Sequence, residues 1–572
     1  NYDIGSTNPR FNHFTLKNGV KILGGFAGDE TSVGQRDLDA NKTVLSGDID
    51  QNDDIEAEGY VADHTNVNGE NSLKLFYFPK GSTIDTTAVL DGFILTGAVA
   101  DNDVSPYNSG AAFYCKGASP RLVNCDFYGN YAKDWAGAIY LYNSSMIIEN
   151  CNFEGNKAEE HGGALYYSKS EVTLKNCRFS SNEGKYGGAI SGYHNESVSV
   201  FENCHFVNNV ALDNAGVITT GWSPNVFKNC SFINNEAYWG GALVLYTESN
   251  SEIINCVFEG NHATDSSGGA INAAHNSIVN IYNSAFRGNE AYQNGGAIYN
   301  YDGADLKAYN TLFSGNVNGD IINDDGTTNS GSAVYAKDSK VSLVNSTVAS
   351  NYSYDDANGA PVNNWNAELI IKNSIIWNNS GAEEVRYSGT AEGEVTNSIV
   401  QGGFTGSGNM DVDPLFLDPI TATSTPSTEG DYRLWGNSPA NNKGINTSLP
   451  SDSHDLDEDG DTEEPLPYDL SGKERVFAGV VDMGCFEQQF ESVSGNKLSL
   501  RDNQQVDMGD NLRLDNTDFT IETWVYPGQD AVNASHHNIC GNNDVSAGNR
   551  PPVLYIFQYD RIHYGYGDGT NW

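Results

Sequence analysis

The residues best suited to chemistry lie in "DLDEDGDTEE", which sets Asp455, Asp457, Asp459 and Asp461 at alternate positions around Gly460. Carboxylate oxygens so spaced can wrap one hard cation when a glycine permits the bend, and this is the first half of a calcium loop. The pattern departs at its twelfth position, where a bidentate Glu belongs and Leu466 stands. Asp469, or a group from elsewhere, then has to complete the shell. The expected metal ligands are Asp455, Asp457, Asp459, Asp461 and Asp469, holding calcium with modest affinity; the plain alternative is a solvated acidic loop.

A second group could bind rather than react. Trp135, His161, Tyr186, Asn214 and Trp239 each stand just before a Gly or Ala step at equivalent places along the chain, with Tyr131, Tyr238 and Tyr292 nearby. Aromatic faces flanked by hydrogen-bonding groups suit neutral sugar rings, so Trp135, His161, Tyr186 and Trp239 are the candidate ligand-binding residues. The competing reading is ordinary stacking of loop side chains.

No catalytic residue is expected. The pairs Asp53/Asp54, Asp324/Asp325 and Asp355/Asp356 sit in loop-like contexts and read as solvated acidic turns, not as the two facing carboxylates of a glycosidase. His536 and His537 lack a third ligand at metal spacing, and no nucleophile elbow appears.

The elements that would position these groups follow from a repeat. An Asn recurs at 124, 150, 176, 203, 229, 255, 283, 310, 345 and 373, and each time a second Asn follows six residues later. Cys or a small residue comes next, six times as Cys125, Cys151, Cys177, Cys204, Cys230 and Cys256. Three residues after the first Asn stand Phe127, Phe153, Phe179, Phe206, Phe232, Phe258, Phe286 and Phe313, then Val348 and Ile376. Between motifs a Gly-Gly-Ala step feeds a short apolar strand, as in "HGGALYY" and "WGGALVL". Self-similarity at this period, with short strands, Gly/Asn corners and no helical periodicity, predicts a parallel β-helix in which identical positions stack. Phe then forms an internal column, Asn amides bridge successive coils, and the six cysteines are buried thiols acting as small hydrophobes. The segments "NGVKILGGFAGDET", "KTVLSGDI" and "AVLDGFILTGA" read as less regular coils, and residues 320–365 contain an inserted loop.

Bulk properties narrow the partners. The 31 basic and 75 acidic side chains give a net charge of −44, a field that repels nucleic acid, anionic membrane surfaces and polyuronates. No apolar run is long enough to span a bilayer, and residues 1–20 lack signal-peptide features, so direct membrane insertion is not expected of this segment. The chain reads as part of a longer polypeptide.

Four segments, "DVDPLFLDP" (411–419), "DYRLWGNSPANNKG" (431–444), "DLDEDGDTEEPLPYDLSGKERV" (455–476) and "GVVDMGCFE" (479–487), together resemble the closing region of secreted right-handed parallel β-helix proteins of bacterial cell surfaces. The "GGFAGDET" opening and the "GGA…NC.F..N" coils resemble the same family, including its polymorphic outer-membrane-protein branch; the likeness covers roughly residues 15–487. From about 495 the chain alternates apolar and polar residues, and "DFTIETWV" (518–525) resembles a strand of concanavalin-A-like, laminin-G-like modules.

The expected architecture is all-β: a right-handed parallel β-helix of roughly a dozen coils over 1–410, a closing region with the acidic loop over 411–490, and an incomplete β-sandwich jelly roll over 491–572. The expected function is that of a non-catalytic secreted or surface-displayed bacterial adhesin or stalk that meets glycans or surface proteins. A polysaccharide-degrading lyase or glycosidase and a structural subunit of a larger surface assembly are the alternatives. A disulfide between Cys485 and Cys540 is left open.

Overall fold

The computed structural model describes residues 8–319, 330–354 and 359–489 in full, together with the backbone of Tyr2–Asp3, His536–Cys540, Arg550–Phe557 and Arg561–Gly567. One turn shows the plan. The chain runs through Ile139–Tyr142, Ser145–Glu149, Asn152–Glu154 and Lys157–Ala158, then returns as Leu165–Ser168, in parallel register on Ile139–Tyr142. Repetition builds four sheets of 14, 13, 13 and 10 strands, numbered in chain order as the first to the fourth. Ten turns carry a strand in all four sheets, against the roughly dozen coils expected, and the outermost turns, which bring the second and third sheets to 13 strands, are incomplete. Two of the segments read as separate coils share one turn: Lys21–Leu23 pairs with Val89–Asp91, and Val44–Ser46 with Ile94–Thr96.

The phenylalanine column is present. Phe127, Phe153 and Phe179 are fully buried register partners in the third sheet, their rings 4.7 and 4.4 Å apart and within 4° of parallel. The stack continues through Phe206, Phe232, Phe258, Phe286 and Phe313. The six stacked cysteines are buried and unbridged, as is Cys485; the side chain of Cys540 lies outside the described residues.

The two asparagines of each motif do different work. The first lies outside at a corner in the left-handed region, as at Asn150, Asn176 and Asn203 with φ of 53°, and its amide donates to the equivalent Asn one turn back. The second is fully buried from Asn130 through Asn351. Asn156 Nδ2 donates to the Phe127 carbonyl at 2.8 Å and to Asn182 Oδ1 of the next turn at 3.0 Å, and the same geometry repeats through Asn351. Backbone groups that a tight corner would orphan inside the bore are thereby satisfied. The ladder ends at Asn379, whose amide donates to the buried Glu384 at 2.7 Å.

The paired glycines also divide the labour. Gly162 takes φ of +65°, while a Cβ on Gly163 would fall 2.1 Å from the Gly188 carbonyl of the next turn, so only glycine lets successive corners approach this closely.

The region after residue 410 folds back along the late coils. Phe416, Tyr432, Leu434, Met483, Cys485 and Phe486 form a second apolar cluster with Ala285, Leu312, Ala349, Ile375 and Ile399 on the outer face of the third sheet. This explains a change along one outward column, which runs Asp126, Asn152, Arg178, His205, Ser231 in early turns and then Val257, Ala285, Leu312, Thr347, Ile375, Ile399. Backbone hydrogen bonds from Ser427 to Gly315 and from Gly484 to Asn373 fix the strap. Within it Arg475 is fully buried, donating to the Asp482 and Gly484 carbonyls at 3.1 and 2.6 Å and pairing with Glu487 at 3.3 Å.

The chain divides into two compact units, 1–493 and 494–572. In the second, His536–Cys540, Arg550–Phe557 and Arg561–Gly567 form a three-stranded antiparallel sheet. The "DFTIETWV" segment lies outside the described residues.

Candidate functional site

Stacking of corners brings the aromatic candidates into one row. Trp135 bridges His161, which bridges Tyr186, and Tyr186, Asn214 and Trp239 are register partners in the fourth sheet. The row spans four steps of about 4.8 Å each, or about 19 Å. The His161 ring lies 4.8 Å from that of Tyr186 and 6.4 Å from Trp135. Burial pulls the His161 imidazole down to about 4, so it is neutral at physiological pH, and its Nδ1 is buried without a partner. Lys185 Nζ sits 5.0 Å over the Tyr186 ring and pairs with Glu160 at 3.3 Å.

Beside this row runs a tyrosine ladder that the repeat pattern did not single out. Tyr77, Tyr114, Tyr140 and Tyr166 are register partners on the outer face of the first sheet, with ring centroids 5.6, 4.7 and 5.4 Å apart. The Trp135 indole lies nearly parallel to Tyr140 and Tyr166 at 5.9 and 5.3 Å, which joins row and ladder into one aromatic surface. Tyr114 and Tyr140 are almost wholly covered, so they serve as packing, whereas Trp135 is 37% exposed and Tyr166, Tyr186 and Trp239 are half-buried. The signal was in the sequence: each of these tyrosines is the second residue of its strand, an outward position by alternation, and for Tyr114, Tyr140 and Tyr166 that strand follows a glycine step.

A further aromatic stack lies at the corner between the first and second sheets. His194 and Trp222 stack at 4.7 Å beside an open groove of about 560 Å³ lined by Asn143, Lys169, Glu171 and Glu196. Both surfaces offer flat apolar faces rimmed by amides and charges, the chemistry that grips a pyranose ring.

Several carboxylates outside the acidic loop have structural partners. Asp53 accepts from Asn68 N at 2.6 Å and Asn71 Nδ2 at 2.9 Å, stitching a loop together. The pairs Asp324/Asp325 and Asp355/Asp356 and the side chains of His536 and His537 lie outside the described residues. Acidic residues also lie on strands: Glu149 and Glu202 alternate with Lys175 and Lys228 on one outward column of the second sheet. Several lysines are tied to a neighbouring turn: Lys157 to Glu183 at 2.8 Å, Lys175 to Glu202 at 2.9 Å and Lys372 to Glu394 at 3.2 Å.

The acidic loop gathers only part of the expected set. Asp455, Asp457 and Asp459 bring carboxylate oxygens within 4.8 Å of one another, and so do Asp452, Asp457 and Glu464, two of which fall outside the alternating spacing. Asp461 belongs to neither group. Asp469 lies elsewhere, buried, where it accepts from Ser471 N, Lys473 N and Glu487 N at 2.7–2.9 Å.

Among the described residues no helix is long and apolar enough to cross a membrane. Residues 91–232 match the family model for the right handed beta helix region, and residues 255–274 and 283–301 match the Chlamydia polymorphic membrane protein repeat. A search of curated proteins returns no match. Among solved structures, pectate lyase Pel9A is similar at 14% identity and a TM-score of 0.27, over 75% of this chain and 96% of that one, too low to bear on activity. Together with the parallel four-sheet solenoid, these matches support a right-handed β-helix repeat architecture.

Proposed function

We propose that the protein is a non-catalytic, secreted or surface-displayed bacterial stalk or adhesin that binds neutral glycans, or the glycosylated face of a partner protein, on its aromatic surface. The observation that carries this reading is the single row Trp135–His161–Tyr186–Asn214–Trp239 laid against the tyrosine ladder. Rigid spacing at one coil per about 4.8 Å suits a polymer of repeating sugars, because each ring meets an equivalent face. The likeness of residues 255–274 and 283–301 to a repeat of Chlamydia polymorphic membrane proteins supports a bacterial surface location. The net charge of −44 favours uncharged ligands over polyanions. A concanavalin-A-like module after residue 490 belongs to the same proposal, supported by its strand motif and by the antiparallel sheet of unit two.

The test is retention on an array of neutral and acidic glycans, paired with an assay for new reducing ends. Retention on neutral glycans that Trp135→Ala with Trp239→Ala abolishes, without turnover, is the expected result. Turnover would establish the degrading enzyme instead. No retention, with capture of one specific protein, would establish the structural subunit.

A further inference from the structure

The loop between Ser451 and Pro465 is closed at its base by an antiparallel bridge and by the hydrogen bond from Asp452 N to the Glu464 carbonyl at 2.6 Å. That closure carries Asp452 and Glu464, thirteen positions from end to end, onto Asp457 at the middle. Inside the loop, Asp455 and Glu458 take left-handed backbone at φ of 49° and 61°, and Gly460 N donates to Asp455 Oδ1 at 3.0 Å.

Asp452 is fully buried, and its Oδ2 accepts from Leu456 N at 2.7 Å. Its other oxygen, Oδ1, has no protein donor, and neither do Asp457 Oδ1 and Glu464 Oε1, all three shielded from solvent. Three carboxylates thus converge within 4.8 Å of one another with a buried oxygen on each left unpaired. Buried polar atoms are ordinarily satisfied, and like charges this close repel, so the arrangement lacks a cationic partner.

We propose that Asp452, Asp457 and Glu464 form a calcium site that latches the closing strap onto the β-helix. Hard all-oxygen ligation at this spacing suits Ca²⁺, whose ligands lie about 2.3–2.6 Å from the ion and whose geometry tolerates a flexible loop. Asp455 and Asp459, grouped with Asp457 on the more exposed side, complete the shell. Leu466 stands where the bidentate Glu of a calcium loop would be because that position packs instead of ligating, buried against Ile254 and Tyr282 of the second sheet with Leu456 at the edge of the cluster. His454 Nε2 reaches Glu252 at 3.2 Å, and its ring meets Tyr282 edge-on at 5.0 Å. Residues that clamp the strap, His454, Leu456 and Leu466, therefore alternate with or flank the ligands, and ordering the loop around an ion orders the clamp.

The experiment is calorimetric titration of CaCl₂, with MgCl₂ in parallel, into the metal-stripped full chain, followed by limited proteolysis with and without Ca²⁺. Saturable Ca²⁺ binding is expected, abolished by Asp457→Asn and weakened at least tenfold by Glu464→Gln, with Asp461→Asn within threefold of wild type. Cleavage between residues 452 and 464 should slow at least tenfold in Ca²⁺. Should Asp457→Asn lose its β-sheet circular dichroism, Asp452→Asn, which keeps an oxygen for Leu456 N, replaces it with the same expectation. The proposal is overturned if the wild type shows no saturable Ca²⁺ heat, if the ligand variants titrate like wild type, or if Asp461→Asn loses as much as they do.

Discussion

Replacing the two asparagines of one motif separates their roles quantitatively. Asn209 is fully buried; its Nδ2 donates to the Phe179 carbonyl and to Asn235 Oδ1, each at 3.0 Å, and its Oδ1 accepts from Asn182 N at 3.1 Å and Asn182 Nδ2 at 2.9 Å. Asn209→Ala strips two Asn182 donors of their acceptor and the Phe179 carbonyl of a donor. At about 1–3 kcal/mol per unsatisfied buried group, the turn loses about 3–9 kcal/mol, toward the lower end because Asn182 Nδ2 keeps the Phe153 carbonyl. Asn209 is not in the left-handed region, so Asn209→Gly recovers nothing. Asn203 is exposed, with φ of 53°, and exchanges one hydrogen bond with Asn176 and one with Asn229, both at 3.1 Å. Asn203→Ala costs about 1–2 kcal/mol, mostly the left-handed backbone, and Asn203→Gly costs almost nothing. A long repeat array does not unfold in two states, so the assay is native-state hydrogen exchange of the amides in residues 179–235. Exchange should quicken by about a thousandfold for Asn209→Ala and about tenfold for Asn203→Ala, at about 1.4 kcal/mol per tenfold. Equal effects at the two positions, or rescue of position 209 by glycine, would refute the division of labour.

Burial pushes Glu384 up to about 7, above its ordinary value near 4.5. A raised acid binds its proton more tightly folded than unfolded, so its stability contribution is complete below about pH 4.5 and is lost as pH climbs through about 7, worth about 3 kcal/mol. Glu384→Gln, which keeps an acceptor for Asn379, should therefore raise the melting temperature at pH 8 and leave it unchanged at pH 4. Glu487 moves the same way, pushed up by burial to about 8 against the pull of Arg475. Arg475→Met alone leaves that carboxyl buried without its partner and should cost about 3–5 kcal/mol, and adding Glu487→Leu should not restore it, because leucine strips Phe477 N and Asp482 N of their acceptor, as read in denaturant melts. Gly163→Ala should abolish soluble folded protein because its Cβ meets backbone at 2.1 Å, whereas Gly34→Ala, with nothing within 4 Å, should be silent in yield and circular dichroism.

Much of this fold was legible because a solenoid converts a fixed sequence offset into a column in space. Phe153, Phe179 and Phe206 could be placed on one another from spacing alone, and so could Trp135 and His161. Which asparagine of each motif faces inward could not, because both are six residues apart in every turn and only the corner geometry separates them. The path of the strap was hidden for a different reason: its contacts are made across about 40 to 210 residues, as between Asn378 and Ile420 or Glu252 and His454. Its footprint was nonetheless written in the outward column, where Ser231 gives way to Val257, Ala285 and Leu312. Asp452 and Glu464 escaped notice since they lie outside the alternating run and meet only when Ser451 and Pro465 pair.

Equivalent residues lying one above another carry surface groups at a fixed pitch, and both the aromatic row and the asparagine ladders depend on it. Spin labels at exposed or half-buried fourth-sheet positions test this directly, in a Cys540→Ser background where the described native thiols are buried. Lys157 and Glu236 are three register steps apart, and Lys157 and Glu290 five. Backbone separations of about 14 and 24 Å are predicted, a constant increment of about 4.8 Å per step. Label distances that fail to grow with the number of turns would contradict the stacked solenoid and, with it, the aromatic row.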